Sequence, residues 1–249
     1  MELELSVLII LGGVALAAGF IDTLAGGGGL LTLPGLLLAG LPPVSALATN
    51  KLQGTFGSGM ASLTLLRLRR FEPAALKGAF IASLLGAGLG TVLVQVVHTG
   101  ALETLVPVVL AGIALYFLLT PGAGHVTRAP RLATRPYERG VVPLIGFYDG
   151  FFGPGTGSFF SLAGVALRGQ DLITATTHAK ALNFASNIAS LTVFVLGGKV
   201  LWSVGLVMAC GQILGAWLGS HAVLRGGARL IRPLIVVICL LMLGRYLLR

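Results

Sequence analysis

Apolar runs of membrane-spanning length, each broken or ended by residues that a membrane tolerates poorly, constrain this chain more than any other feature. They fall at about Leu5–Leu24, Val44–Leu66, Pro73–Val97 and Leu102–Thr120, then at about Gly140–Phe152, Leu172–Leu196, Val200–Leu224 and Leu230–Leu248. Most hold about 20 residues, enough for a helix to cross a hydrocarbon layer of about 30 Å. With 55% hydrophobic and only 10% charged residues, and a mean hydropathy of +0.96, a soluble core cannot account for them. The expectation is an all-α polytopic membrane protein. A net charge of +9 raises the question of nucleic acid. However, the arginines sit in short segments between apolar runs, with no basic groove or aromatic platform, and they read as topology determinants. The first run has no basic start and leads into a Gly-Asp motif rather than a cleavage site, so a retained helix is expected.

The costly residues come in two copies. One stretch reads Gly19-Phe-Ile-Asp22-Thr-Leu-Ala-Gly26-Gly27-Gly28-Gly29, with Pro42-Pro43 and then Ala-Leu-Ala-Thr49-Asn50-Lys51 following. The second reads Gly146-Phe-Tyr-Asp149, then Gly153-Pro-Gly155-Thr156-Gly157, with Lys180 further on. Gly19 and Gly146 are 127 positions apart, while Lys51 and Lys180, Gly86 and Gly215, and Gly90 and Gly219 are each 129 apart. Two homologous repeats are therefore expected, over 1–120 and 140–249, joined by a Pro- and Arg-rich cytoplasmic linker at 121–139. The Gly86/Gly90 and Gly215/Gly219 pairs give each repeat a small-xxx-small face, which lets helices approach closely in lipid.

Two further apolar segments, Leu30–Leu41 and Ser158–Arg168, are only about a dozen residues long, or roughly 16–18 Å as helices, too short to cross. Each follows a glycine break and precedes a turn signal, so re-entrant half-helices are expected. The count is then about eight transmembrane helices plus two half-helices in parallel repeats. The alternative is ten helices in two inverted five-helix repeats. Helix length favours the first, and the Lys/Arg distribution is compatible with both.

Two copies of one costly motif point to one site at a repeat interface. Asp22 and Asp149 end the first helix of each repeat. A charged carboxylate is expensive at that depth, which suits a proton relay or coupling-ion site, although each could equally cap a neighbouring helix N-terminus. Gly26, Gly27, Gly28 and Gly29, like Gly153, Gly155, Thr156 and Gly157, open the half-helices, whose N–H groups and dipole favour an anion. Lys51 and Lys180 lie about eight residues into their helices, roughly 12 Å deep and too far in to snorkel easily. A polar stripe continues from them at helical spacing, through Gly54 or Thr55 to Ser58 and through Asn183 to Asn187. His178 is near the depth of Lys180 but about 200° round the helix, where a packed or interfacial histidine is the plainer reading. Each Lys could instead form a structural ion pair with the local Asp.

Other classes find little support. The Gly153–Gly157 run lacks the ending of a phosphate loop, and no His-Glu-x-x-His or paired intramembrane protease signature occurs. Cys210 and Cys239 sit in apolar spans as packing residues. His98, His125 and His221, and Glu2, Glu4, Glu72, Glu103 and Glu138, lie at span ends or in the linker and receive no role. Neither enzyme activity, nor a metal, nor a cofactor is expected. Oligomeric state stays open, a homo-oligomer included.

The first motif with Ala-Leu-Ala-Thr-Asn-Lys-Leu following, together with Gly-Phe-x-Asp-Gly-Phe-Phe-Gly-Pro-Gly-x-Gly in the second half, resembles the TauE/SafE (TSUP) family of sulfite and organosulfonate exporters over nearly the whole chain. The resemblance implies a multi-pass carrier of the bacterial inner membrane, moving sulfite, sulfonates or other small organic anions on an ion gradient. The second copy has His178-Ala179 where the first has Thr49-Asn50, so two half-sites built from these positions would not be equivalent. The residues and the resemblance agree on the sign of the ligand: glycine-opened helix N-termini, Thr49, Asn50, Lys51, His178, Lys180, Asn183 and Asn187 are the expected anion cradle. Asp22 and Asp149 are the candidates for coupling to H⁺, and the alternative activity is an uncoupled anion channel.

Overall fold

The computed structural model describes residues 4–96, 115 and 127–247. The expected span Leu102–Thr120, apart from Leu115, lies outside them, as do Glu2, His98, Glu103 and His125. The described chain is helical: α1 (Leu5–Ala25), α2 (Gly29–Leu38), α3 (Pro43–Arg67), α4 (Pro73–Val94), α5 (Val142–Phe151), α6 (Thr156–Arg168), α7 (Leu172–Leu196) and α8 (Trp202–Leu247). A short turn at Thr134–Pro136 and one π-helical turn, Tyr137–Val141, lead into α5.

Local chemistry sets these boundaries. α3 and α4 begin at Pro43 and Pro73, where the missing proline N–H would have had no helical partner anyway. Asp171 caps α7, its Oδ1 accepting from the Thr174 N–H at 2.9 Å. α1 stops where Gly26 turns left-handed at φ 78°. At the far end, the two expected spans Val200–Leu224 and Leu230–Leu248 are one helix, α8, of 46 residues. Arg225-Gly226-Gly227 does not break it, because each helical glycine costs only about 1 kcal/mol. Pro233 lies inside it.

Four helical stretches are long and apolar enough to cross a membrane: Leu5–Ala25, Pro73–Val94, Leu172–Leu196 and Trp202–Arg225. α3 matches them in length with 25 residues, but its buried face carries Thr49, Asn50, Lys51 and Gln53. The usual soluble distribution is reversed, with polar side chains inside and large apolar ones outside. Lys51, Lys180, Gln53 and Ser186 are at most 2% exposed, whereas Leu38 is 86% and Leu196 is 84% exposed. A hydrocarbon surrounding gives such a surface nothing to escape from, so close packing and internal hydrogen bonds must hold the helices together.

That packing is swapped between the two halves. Gly211, Gly215 and Gly219 of α8 lie against the backbone of α1 at Gly12, Leu16 and Phe20, so the two helices run in the same direction. Gly86 and Gly90 of α4 lie in the same way against Pro143 and Phe147 of α5. A Cβ at Gly86 or Gly215 would overlap a carbonyl oxygen of the facing helix, which is why only glycine fits. Thus the small-residue faces expected from sequence pack the fourth helix of one half against the first helix of the other. Between α3 and α7 the direction is opposite, since Gly54 faces Asn187 while Gly59 faces Phe184.

Candidate functional site

The two glycine breaks meet at the centre of the fold. Gly26 and Gly157 are in backbone contact, and a Cβ on either would overlap the other's main chain. Ser158 Oγ donates to the Ala25 carbonyl across the same junction. Tyr148 fixes the second break from outside, its hydroxyl donating to Pro154 O at 2.7 Å.

Each lysine finds the aspartate of the other half. Lys51 Nζ lies 2.8 Å from Asp149 Oδ1, with both side chains 2% exposed. Lys180 Nζ lies 3.2 Å from Asp22 Oδ2 and also donates to the Asp22 carbonyl. The alternative of a local Lys–Asp pair within one half is thereby replaced by two reciprocal cross-pairs. Both carboxylates also reach the starts of α2 and α6: Gly28 N–H donates to Asp22 Oδ1 at 3.0 Å, and Thr156 Oγ1 donates to Asp149 Oδ1 at 2.7 Å. Asp22 thus combines ion pairing with a bond to the backbone N–H at the start of α2, two roles that the sequence posed as alternatives, whereas Asp149 meets α6 through the Thr156 hydroxyl and no backbone N–H. Ser58 and Asn187, themselves 129 positions apart, join at 3.3 Å, so equivalent positions of the two halves meet there.

Between these pairs lies a cavity of about 30 Å³, room for about two waters at 10–15 Å³ each. Asp22, Gly26, Gly28, Gly29, Asn50 and Lys51 line it from the first half. Asp149, Gly153, Gly155, Thr156, Gly157, Asn183 and Asn187 line it from the second. Lys180 stands behind the wall, its Nζ about one contact from Gly157. Gly27 is buried outside the lining.

Thr49 and His178 stand apart from this group. Thr49 Oγ1 accepts from Leu201 N–H at 3.2 Å, at the start of α8. His178 Nδ1 lies 3.0 Å from Gln170 Nε2 and faces a second, larger cavity of about 240 Å³. Tyr137, on the wall of that cavity, is pushed up to about 12 by burial, against a smaller downward pull from Arg168.

Gly54, from the polar stripe expected on α3, also lines it, and Gln53 and Gln212 join the lining without having been singled out from sequence. Gln53 Nε2 and Thr32 Oγ1 both donate to Asn50 Oδ1, at 2.7 and 2.6 Å. That orients Asn50 as an acceptor toward them and leaves its amide for the cavity. Gln212 was the findable one, a polar amide inside the apolar run Val200–Leu224. Two acceptors on the cavity wall, Asp149 Oδ2 and Gln53 Oε1, have no hydrogen-bond donor among the described residues. A buried acceptor without a donor is costly, so both call for a proton or a water. Among the described residues no group of three or more His, Cys, Asp or Glu is placed to hold a metal.

A protein-family description, "Sulfite exporter TauE/SafE", matches residues 11–246. A "Probable membrane transporter protein" of Haemophilus influenzae is 46% identical over 245 residues, covering 98% of this chain and 96% of that one. The Sinorhizobium "Probable membrane transporter protein ORF9" is 47% identical over 242 residues, covering 95% and 91%. The Escherichia coli K12 "Probable membrane transporter protein YfcA" is 47% identical over 234 residues, covering 94% and 87%. No solved structure matches. With apolar helices outside and a polar, charge-paired centre inside, the class defined is a helical membrane transporter, not an enzyme. The chain belongs to the TauE/SafE family.

Proposed function

We propose that this protein is a secondary active carrier of small anions, sulfite, sulfonates or related organosulfur anions, in the bacterial inner membrane. The observation that carries the reading is the reciprocal pairing of each repeat's lysine with the other repeat's aspartate at a half-helix N-terminus. Lysine and helix N-terminus together form an anion site, and the aspartate carboxylate now fills it. A sulfonate or sulfite presents the same kind of charge-bearing oxygens. It can replace the carboxylate once that group is neutralised by a proton, which links anion and H⁺ movement. The donor-less Asp149 Oδ2 supports Asp149 as the group that takes up the proton.

In this reading residues 1–120 and 140–249 are the two repeats, and 121–139 is the cytoplasmic linker. The opposed directions of α3 and α7 support the inverted, ten-helix arrangement over parallel repeats. α2 and α6 serve as the broken elements that bring their N-termini to the midplane. Alternating access then follows from movement of one repeat against the other. The small central cavity supports a carrier over an open channel, because a channel requires a continuous wet path.

The test is exchange in proteoliposomes holding purified protein, with labelled sulfite, thiosulfate, taurine, sulfoacetate and a carboxylate control, with and without a pH gradient. Saturable counterflow of a sulfur anion that responds to the gradient is expected. Rapid, unsaturable flux without counterflow would make the protein a channel, and movement of the carboxylate alone would overturn the sulfur-anion assignment.

A further inference from the structure

The two halves match in sequence but not in filling. The cavity of about 240 Å³ lies between α4 of the first half and residues 134–138, α6 and α7. Its walls include Ala75, Ala79, Glu138, Arg168, Gln170 and Ala175. At the 129-residue offset, Ala75 and Ala79 correspond to Val204 and Met208, and Arg168, Gln170 and Ala175 correspond to Ala39, Leu41 and Ala46. At the 127-residue offset of the first helices, Glu138 corresponds to Leu11. Gly40 and Gly169, also 129 apart, both turn left-handed at φ 85° and 64°, which anchors the register in this region.

Every one of those counterparts belongs to a single packed apolar cluster. Leu11, Leu41, Ala46, Val204 and Met208 form its core, and Ala39 packs against it. At these positions the cavity has Ala75 and Ala79 where the cluster has Val204 and Met208, and Arg168 and Gln170 where it has Ala39 and Leu41. Its remaining wall on α7, His178, Ala179 and Leu182, corresponds to Thr49, Asn50 and Gln53, which lie outside the cluster. One side of the fold therefore holds a cavity of mixed polar and apolar lining where the equivalent positions of the other side are packed with apolar side chains.

The larger cavity also adjoins the central site. On α6, Gly157 lines the site and Phe160, one turn on and 1% exposed, lines the larger cavity. On α7, Asn183 belongs to the site, and Leu182 and His178 to the cavity. On its outer side the cavity is walled by Thr134 and Arg168. The Arg168 guanidinium is held there by the Leu132 carbonyl and by Thr134 Oγ1 at 2.9 Å.

We infer that the cavity is the aqueous vestibule through which an oxyanion reaches the site from the linker side, and that the Leu11–Met208 cluster is the same passage in its closed state. This rests on the inverted-repeat carrier reading, in which equivalent volumes open to opposite membrane faces. The structure is then the conformation open toward the linker. Phe160 is the partition between vestibule and site, and Arg168 is the cation on the vestibule wall that an entering anion meets.

Thiol labelling tests this without requiring transport. In a Cys210→Ser, Cys239→Ser background, His178→Cys and Gln170→Cys are compared with their counterparts Thr49→Cys and Leu41→Cys, each confirmed as monodisperse in detergent. A small charged thiosulfonate reagent is added in the absence of substrate, and modification is followed by mass spectrometry. The vestibule positions should label at least about tenfold faster than their counterparts, a difference equivalent to about 1.4 kcal/mol in accessibility. Equal rates, or faster labelling at Thr49→Cys and Leu41→Cys, would overturn the vestibule. A companion variant, Ala79→Met, copies the plug into the vestibule and should block sulfite exchange while the protein still folds. Undiminished exchange in that variant would also overturn the route. Expected labelling with no anion exchange in the unmodified protein would leave the cavity as described and remove the carrier reading instead.

Discussion

Lys51 and Asp149, each 2% exposed, are joined at 2.8 Å beside a cavity of only about 30 Å³. Removing one member of such a pair strands a buried charge, at a cost of about 3–5 kcal/mol, whereas replacing both with apolar groups can be neutral. Lys51→Ala and Asp149→Ala should therefore each lower the unfolding temperature in detergent more than the double change Lys51→Met/Asp149→Leu does. A double variant that simply summed the two single losses would show that the pair is not coupled. The importance of these residues was legible in the sequence, because a Lys or Asp inside an apolar run is conspicuous. Their partners were not. Nothing in the spacing of Asp22 and Lys51 says that each will turn to the opposite half, since that choice is made by α3 and α7 meeting at the centre. Gln53 and Gln212 escaped notice for a different reason: a neutral amide costs less in lipid than a charge and marks a site more faintly.

At the scale of elements, the interlock of α1 with α8 and of α4 with α5 depends on backbone approaching backbone at glycine. Gly86→Leu and Gly215→Leu should force these helices apart and sharply reduce the yield of folded, monodisperse protein. Gly13→Ala and Gly88→Ala, whose new methyl groups would meet nothing within 4 Å, should leave that yield unchanged. Equal tolerance at all four positions, read by size-exclusion chromatography, would contradict the packing. Helix starts at Pro43, Pro73 and Leu172 agreed with the apolar runs to within about a residue, because proline and Asp caps act locally. The end of the chain did not, since Arg225-Gly226-Gly227 reads as a turn while the helix continues through it. A turn signal of that kind is weak when no competing partner is present for the freed backbone groups.

For the whole molecule, α1 packs on α8 and α4 on α5, and the central site draws on both halves, each supplying a lysine to the other's aspartate. The constant spacing of Gly and Lys between the halves was visible in the sequence. The direction of packing at the centre was not, because helix length argued for parallel halves, whereas the contacts of Gly54 with Asn187 and Gly59 with Phe184 run in opposite directions. The filled cluster opposite the open cavity was equally hidden, since Ala, Val and Met are ordinary residues of any apolar run.

The most direct test of the central claim, that the aspartate carboxylates hold the place of a substrate anion, is titration of purified protein across a range of pH with isethionate, a sulfonate whose charge is constant over that range, read by thermal shift and calorimetry. For the unaltered protein, binding should strengthen as the pH falls. For Asp149→Asn, which keeps a hydrogen-bond acceptor for Thr156 but no longer neutralises Lys51, binding should be tighter and nearly independent of pH. Isethionate binding that was abolished by Asp149→Asn, or that kept the pH dependence of the unaltered protein, would show that Asp149 does not compete with the anion for Lys51.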